Sequence, residues 1–577
     1  MERKFEMIAT DEGENRSVVE MKDVELGAHK THVFEIEKDT KRRPVKYVYL
    51  IAGMAALNSA NLGFDIGVMS GAAEFIQDDW NLSDAQLSIL IGILNASAIF
   101  GAALAHYSID RLGRRATFGI SCFIFITGVS GMALSLNFAM ILCFRTITGF
   151  GVGIGLSIDP VFISEVSPAG VRGELVTWSE ISINIGILIG FIASYGFKDM
   201  STGIAWRLML GCGIIAPFIL LICVFTIMPE SPRWLIARGY ETEARKVLSK
   251  LTWPDEDRSA ILKEIQNAVR EEKKSHLSEL SWRQILFPPT PGLRRAIMVG
   301  VGVATAQQIL VEESLLFYFP EILESMNVAR VHVFMALIAM GILKTVCIII
   351  SACFLDSAGR RPMLLISIGG MGIALAGVAL SFLAHLPWGA VVCIWGYMSF
   401  FSLGIGPGCW LLAAEVFPLA IRARAMAIAT TSNRIVSAVV ASSFLPWAKA
   451  VGFATYFFCF AILAFFVWIL IFFYVPETKG KTLEAMADYF EKRATPSTRF
   501  SDTGRIDTSQ HIEDDDQEDG REGRTTINLA STEPSTMNPL SASQTSAKKP
   551  KHRSMLEMND DANFPPTQSP PETMAAS

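Results

Sequence analysis

The sequence predicts an all-α membrane protein: twelve transmembrane helices in two pseudo-symmetric six-helix bundles, joined by a polar linker. Three observations carry this. The 577 residues are 51% hydrophobic and only 18% charged, less charge than a soluble chain of this length carries. The apolar residues gather into twelve runs, centred near residues 58, 97, 127, 152, 186, 216, 307, 344, 374, 402, 435 and 463. Runs of ~20 residues suffice to cross a hydrocarbon core of ~30 Å. The chain also repeats itself. Asp110-Arg111-Leu112-Gly113-Arg114-Arg115 returns as Asp356-Ser357-Ala358-Gly359-Arg360-Arg361, an offset of 356 − 110 = 246. Glu165-Val166-Ser167-Pro168 with Arg172 returns as Glu415-Val416-Phe417-Pro418 with Arg422 (415 − 165 = 250), and Pro229-Glu230-Ser231 as Pro476-Glu477-Thr478 (476 − 229 = 247).

Along the chain, residues 1–45 are polar and charged and are expected to be disordered, with no cleavable signal peptide. Residues 46–228 hold the first six spans. Residues 229–293 form a polar linker; the pattern Ala260-Ile261-Leu262-Lys263-Glu264-Ile265-Gln266 predicts amphipathic helices along the membrane surface. Residues 294–475 hold the second six spans. Residues 476–577 form a tail, largely disordered, with an acidic block Glu513-Asp514-Asp515-Asp516 and a basic one from Lys548 to Arg553; such composition cannot bury enough apolar surface to offset chain entropy.

Orientation follows from the basic residues. Lys41, Arg42, Arg43 and Lys46 precede the first span, and eleven Lys or Arg lie between Pro229 and Leu293, whereas Ala72–Ser88 has none. Both termini and the linker are therefore expected on the cytoplasmic side. Asn81-Leu82-Ser83 is then a glycosylation candidate in the first outer loop. The nine cysteines all fall within spans, without paired spacing, and read as small apolar fillers. No metal-ligand cluster or nucleophile–base pair stands out, so neither an enzyme nor a cofactor is expected, and nothing points to nucleic acid.

Seven ionisable residues lie well inside the spans: Asp65, Arg145, Glu180, Glu312, Glu313, Lys344 and Arg434. Facing lipid, each would cost ~2.5–3.5 kcal/mol, or roughly 20 kcal/mol together. They are expected instead to line a polar interior. A duplicated membrane chain with charges at this depth has the layout of a secondary carrier. Gly149, Gly151, Gly153 and Gly155 lie inside an apolar helix with no preceding strand, so they read as close-packing positions and not as a phosphate loop. Gln307, Gln308 and Asn433 can exchange hydrogen bonds with a hydroxyl-rich ligand, and Trp410 offers an apolar face.

The motifs together resemble the sugar porter family of the major facilitator superfamily over roughly residues 46–490. They are Gly63-Phe64-Asp65-Ile66-Gly67-Val68, the Asp110–Arg115 run, Pro160-Val161-Phe162-Ile163-Ser164-Glu165, and Pro229-Glu230-Ser231-Pro232-Arg233-Trp234. The second half adds Gln307-Gln308, Asp356 to Arg361, Gly406-Pro407-Gly408-Cys409-Trp410 and Pro476-Glu477-Thr478-Lys479-Gly480. Glu180, Glu313, Lys344 and Asn433-Arg434 resemble the plant-type polyol and monosaccharide transporters most. The resemblance implies proton-coupled import of polyols or monosaccharides by a protein functional as a monomer in lipid, in the plasma membrane, with the vacuolar membrane as alternative. An uncoupled facilitator and a non-transporting sugar receptor are the alternative functions.

Residue roles follow. Asp65 and Arg145 are expected to couple the proton. Glu180, Gln307, Gln308, Glu313, Trp410 and Asn433 are expected to hold substrate. Glu313 and Lys344, with Glu312 as the alternative acid, are expected to form an intramembrane ion pair. Asp110, Arg114, Arg115, Glu165 and Arg172, with Asp356, Arg360, Arg361, Glu415 and Arg422, are expected to form a cytoplasmic gate that breaks when the inside opens. The chain departs from the family pattern at Val311, which replaces a glycine expected to let the seventh span break, at Glu312 beside Glu313, at Phe162 and Phe317, and at Asp159 before Pro160.

Overall fold

The computed structural model describes residues 5–11, 17–23, 31–36, 45–168, 171–254, 256–274, 280–418, 421–479, 486 and 489–490. The two charged blocks of the tail lie outside them. Near the N-terminus, where disorder is expected, the backbone forms three antiparallel strands, Phe5–Asp11, Ser17–Asp23 and Thr31–Ile36, in the order of the chain. These windows mix β-branched and aromatic residues such as Val18, Val19, Val33 and Phe34, which favour strands.

The rest is helical. The first half comprises the helices Lys46–Trp80, Asp84–Leu112, Arg114–Ala133, Phe138–Val166 and Arg172–Phe197, then a sixth span of Thr202–Gly211 and Ile215–Thr226 joined by a short turn. The second half begins with a seventh span in three pieces, Pro291–Ile309, Glu312–Phe317 and Phe319–Glu324. It continues with Arg330–Ala358, Arg360–Leu383, a tenth span of Pro387–Leu403 and Ile405–Val416, then Arg422–Val451 and Phe453–Tyr474. Ten of these spans are long and apolar enough to cross a membrane. The other two are the first, diluted by Asn58, Asn61, Asp65 and Glu74, and the broken seventh.

Local sequence explains the helix ends. Ser83 and Gln86 form a reciprocal capping box at the second span, and Asn137 accepts from the Met140 amide at the fourth. Gly113 and Gly359 start the third and ninth spans at φ 91° and 94°, a left-handed region open to glycine. Each glycine faces a glutamate: a Cβ at Gly113 would come within 2.4 Å of Glu230 Oε2, and one at Gly359 within 2.9 Å of Glu477 Oε2.

The glycine run of the fourth span serves close packing. A Cβ at Gly149 would lie 1.9 Å from Ser97 Oγ, and one at Gly153 2.1 Å from the Ala98 carbonyl, both on the second span. Between the halves, the linker helices Pro232–Arg238, Glu241–Leu251, Arg258–Lys274 and Trp282–Leu286 carry a small core of Leu235, Ala244, Leu248 and Leu262. Trp234 Nε1 and Arg238 Nη2 donate to the Asp110 carbonyl at 2.9 and 2.6 Å, fixing this layer to the turn between the second and third spans. All nine cysteines are free.

Candidate functional site

Mid-depth charges pair within and between helices. Arg145 Nη1, fully buried on the fourth span, donates to Asp65 Oδ1 of the first at 2.9 Å, and Arg145 Nε donates to the Leu90 carbonyl at 3.2 Å. Among the described residues, Asp65 Oδ2 and Arg145 Nη2 have no hydrogen-bond partner. The pair is thus a single-contact ion pair, not a bidentate clamp.

In the second half, Lys344 pairs with Glu312, the alternative acid, and not with Glu313, which pairs elsewhere. Lys344 Nζ contacts Glu312 Oε1, while Glu313 Oε1 accepts from Arg434 Nη1 at 2.8 Å and from Gln308 Nε2 at 3.3 Å. Glu313 Oε2 accepts from Asn95 Nδ2 at 2.7 Å and contacts the Ser437 hydroxyl. The cause is the break at Val311. Its φ of 67° and ψ of 23° start a new short helix, so Glu312 and Glu313 leave the seventh span in different directions. The expectation that valine removes this break is therefore overturned: the chain breaks there with a β-branched residue in the left-handed region.

The remaining predicted ligands divide in two. Asn433 is fully buried, donating to Gln307 Oε1 (2.9 Å) and the Ala304 carbonyl (2.8 Å) and accepting from Arg434. Gln307 donates onward to the Gly406 carbonyl at 3.0 Å, tying the seventh span to the broken tenth. These two amides are occupied as scaffold. Tyr397 strengthens it, its hydroxyl donating to the Leu310 carbonyl at the break (2.5 Å). Glu180 is different. It is half-buried, its carboxylate has no hydrogen-bond partner among the described residues, and Lys344, Glu312 and Arg434 act on it electrostatically. Trp410 is also half-buried, and Gln308 Oε1 and Asn184 Oδ1 have no hydrogen-bond partner among the described residues.

At one face the repeated motifs build two equivalent clasps. Arg114 Nη2 donates to Glu165 Oε1 at 2.6 Å, and Arg360 Nη2 to Glu415 Oε1 at 2.9 Å. Arg115 Nη2 donates to the Phe225 carbonyl (2.5 Å) and Arg361 Nη2 to that of Phe472 (2.6 Å), capping the sixth and twelfth spans. Glu230 accepts from the amides of Arg114, Arg115 and Ser231; Glu477 accepts from those of Arg360, Arg361, Thr478 and Lys479. Burial holds Glu230 above the ordinary carboxylate range despite its three amide donors. Burial also acts to raise Glu477, but its four amide donors outweigh that and hold it below the range. Asp110 is exposed, with His106 at 3.9 Å. Arg422 Nε donates to the Phe417 carbonyl at 3.4 Å, and the Arg172 and Asp356 side chains lie outside the described residues.

Each clasp bridges two helices of its own half. Contacts between the halves occur elsewhere. Arg330 of the eighth span contacts Glu74 and reaches Asp78 of the first at 3.0 Å; Lys449 of the eleventh reaches Asp84 of the second at 3.0 Å. Ser70 donates to the Leu316 carbonyl at 2.7 Å, and Asn95 bridges Glu313 and Arg434. The clasps therefore stay formed while the opposite face is latched shut. Sequence reasoning missed this latch, because lone charges at helix ends resemble solvated loop residues; it also missed Asn95, an amide without a motif.

Two duplicated bundles, latched across one face and sharing a buried charge network, are the architecture of a secondary carrier. The family described as "Sugar (and other) transporter" matches residues 51–490. "Probable polyol transporter 4" of Arabidopsis thaliana is 38% identical over 455 residues, covering 78% of this chain and 86% of that one. "Polyol transporter 5" of the same plant is 36% identical over 465 residues, covering 77% and 86%. Among solved structures, the proton:xylose symporter XylE of E. coli, bound to 6-bromo-6-deoxy-D-glucose, superposes with a TM-score of 0.67 at 26% identity, covering 77% of this chain and 99% of that one. The chain belongs to the sugar porter family of the major facilitator superfamily, as a sugar or polyol transporter and not an enzyme.

Proposed function

We propose that the protein is a proton-coupled symporter that imports polyols or monosaccharides across the plasma membrane by alternating access, as a monomer. The arginine-rich face carrying the clasps is its cytoplasmic side, with both termini and the linker; the latched face, with exposed Asn81 as a glycosylation site, is the outside. The observation that carries the coupling is the Asp65–Arg145 pair: sealed from water, and held by one contact with an oxygen and a nitrogen left over. Protonating Asp65 removes the attraction that holds Arg145, so one proton changes how the first and fourth spans hold together.

Substrate selectivity follows from the groups that remain free. A sugar or polyol leaving water must have its hydroxyl hydrogen bonds replaced. Glu180 supplies a charge-assisted acceptor, Gln308 and Asn184 supply amide oxygens, and Trp410 supplies an apolar face. Gln307, Asn433 and Glu313 hold the broken seventh span around them. The naming of relatives as polyol transporters, and of a structural neighbour as a proton:xylose symporter, supports this substrate class and this coupling.

The test is substrate-induced alkalinisation of the medium in oocytes, with a panel of sorbitol, mannitol, xylitol, myo-inositol, glucose and xylose. The wild type should alkalinise with at least one of them, and Asp65→Asn should transport without it. Uptake without alkalinisation in the wild type would establish a facilitator, and neither response a receptor. Substrate-driven proton influx in Asp65→Asn would remove Asp65 from the mechanism.

A further inference from the structure

The buried charges do not balance. Asp65, Asp159, Glu180, Glu312 and Glu313 lie at membrane depth against Arg145, Lys344 and Arg434. Three acids are matched by the pairs described above, and Glu180 faces polar space among charged neighbours. Asp159 has neither. It is 1% exposed on the fourth span; Oδ1 accepts from Asn58 Nδ2 at 2.8 Å, and Oδ2 contacts the Ser59 hydroxyl, both on the first span. Among the described residues no lysine, arginine or histidine pairs with it, and no charged group of the second, third or fifth span acts on it. The other titratable group facing it is the buried Cys122 thiol of the third span. A buried carboxylate without a counter-charge is costly, and a visiting proton or other cation offsets that cost.

Polar side chains of the first span lie between it and the coupling pair. Asn58, Asn61 and Asp65 stand at i, i+3 and i+7, one face of the first span, over roughly 10 Å of helix. The Asn61 amide is buried with neither end partnered among the described residues, and Asp65 Oδ2 is likewise unpartnered. Between Asn61 and Asn58, a cavity of about 10 Å³, also lined by Ser59 and Gly155, has room for about one water. Beyond Asp159, the fourth span continues to Glu165 of the clasp at the arginine-rich face.

We propose that Asp159 is a second proton-binding site, which receives the proton that Asp65 releases and passes it toward the arginine-rich face. The Asp65 O–H bond breaks and its proton moves onto water at Asn61. That water passes a proton to Ser59 Oγ, whose own O–H bond breaks as its proton forms the new O–H bond on Asp159 Oδ2; the neutral acid then donates to Ser59 Oγ, while Asp65 is left as the carboxylate that re-pairs with Arg145. No electrons are exchanged. This rests on the proton-coupled reading of Asp65 and adds the exit route.

The test uses the full-length protein in liposomes, with the equimolar six-component panel as probe. Substrate counterflow, pH-gradient-driven accumulation and the pH profile of accumulation are measured. Asp159→Asn keeps the shape of the side chain. It should lower accumulation at least ten-fold more than it lowers counterflow and shift the pH profile, and Asp159→Glu should restore both. Asn61→Leu, which blocks the cavity but leaves Asp159, should give the same split and serves if Asp159→Asn does not fold. Accumulation and pH profile that track counterflow in both variants would reduce Asp159 to a packing residue. Sodium-dependent accumulation that Asp159→Asn abolishes would make this a sodium site and overturn the proton assignment. A wild type that never accumulates substrate on a pH gradient would instead sink the coupling reading itself, and this inference with it.

Discussion

At the scale of single residues, the most informative position is Val311. Left-handed backbone costs an L-residue roughly 1–2 kcal/mol, and branching at Cβ places valine at the upper end. The side chain is nevertheless fully buried in the core, which gains about 1.5–3 kcal/mol. Burial thus offsets strain, and the break survives without glycine. Two substitutions separate these terms. Val311→Ala loses packing yet keeps most of the backbone strain; Val311→Gly loses packing and relieves it. At an ordinary helical site glycine is worse than alanine by about 1 kcal/mol. Here the order should invert, with Val311→Gly more stable than Val311→Ala by about 1 kcal/mol in thermal unfolding in detergent. The usual order would mean that position 311 is not held in the left-handed region. The same torsion explains why the partner of Lys344 was illegible in the sequence. Consecutive helical residues point ~100° apart, so choosing between Glu312 and Glu313 requires knowing how the chain turns at Val311.

At the scale of elements, much was legible. Charge-free runs mark spans, and the paired Gly-Arg-Arg and Pro-Glu-Ser/Thr motifs mark the ends of spans two, three, six and their repeats. The sequence showed that these motifs recur; it could not show that the two copies are electrostatically unequal. Burial acts to raise Glu477, but four amide donors, two that follow it in the chain and two at the start of the ninth span, hold it below the ordinary range, so its stabilising contribution is present above the unfolded-state pKa and is lost as pH falls through the folded one. Glu230 is held above the range by burial, so its contribution has the opposite sign: present below the unfolded-state pKa and lost as pH rises through the folded one. Thermal unfolding between neutral pH and the carboxylate range should show this. Glu477→Gln should lower the midpoint at neutral pH and flatten the acid-side loss of stability. Glu230→Gln should cost less at neutral pH and leave the acid-side loss intact. Equal behaviour of the two variants would show that the copies are equivalent after all.

At the scale of the whole molecule, alternating access requires that one face close while the other opens, and the contacts between halves decide which is closed. The repeat and the buried Asp65–Arg145 pair were readable from sequence because each uses charges that apolar surroundings make conspicuous. The latch was not, because its charges sit near helix ends where ionisable residues are ordinary. Its members are partly exposed: Arg330 is 40% and Lys449 38% accessible. Pairs of this kind contribute about 0.2–1 kcal/mol each and weaken with salt. Counting one such pair for each cation, the latch can therefore bias the closed state by about 0.4–2 kcal/mol, a shift of between about two-fold and thirty-fold in population. Removing both, in Arg330→Ala with Lys449→Ala, should favour opening of the face that the proposed orientation places outside. Ser88, buried at that end of the second span, reports on it. In a Ser88→Cys background, labelling by a membrane-impermeant maleimide should quicken about ten-fold when the latch is removed. Raising the salt should quicken it with the latch intact and change it little once both cations are gone. A labelling rate indifferent to both treatments would assign closure of that face to the apolar contacts beneath the latch.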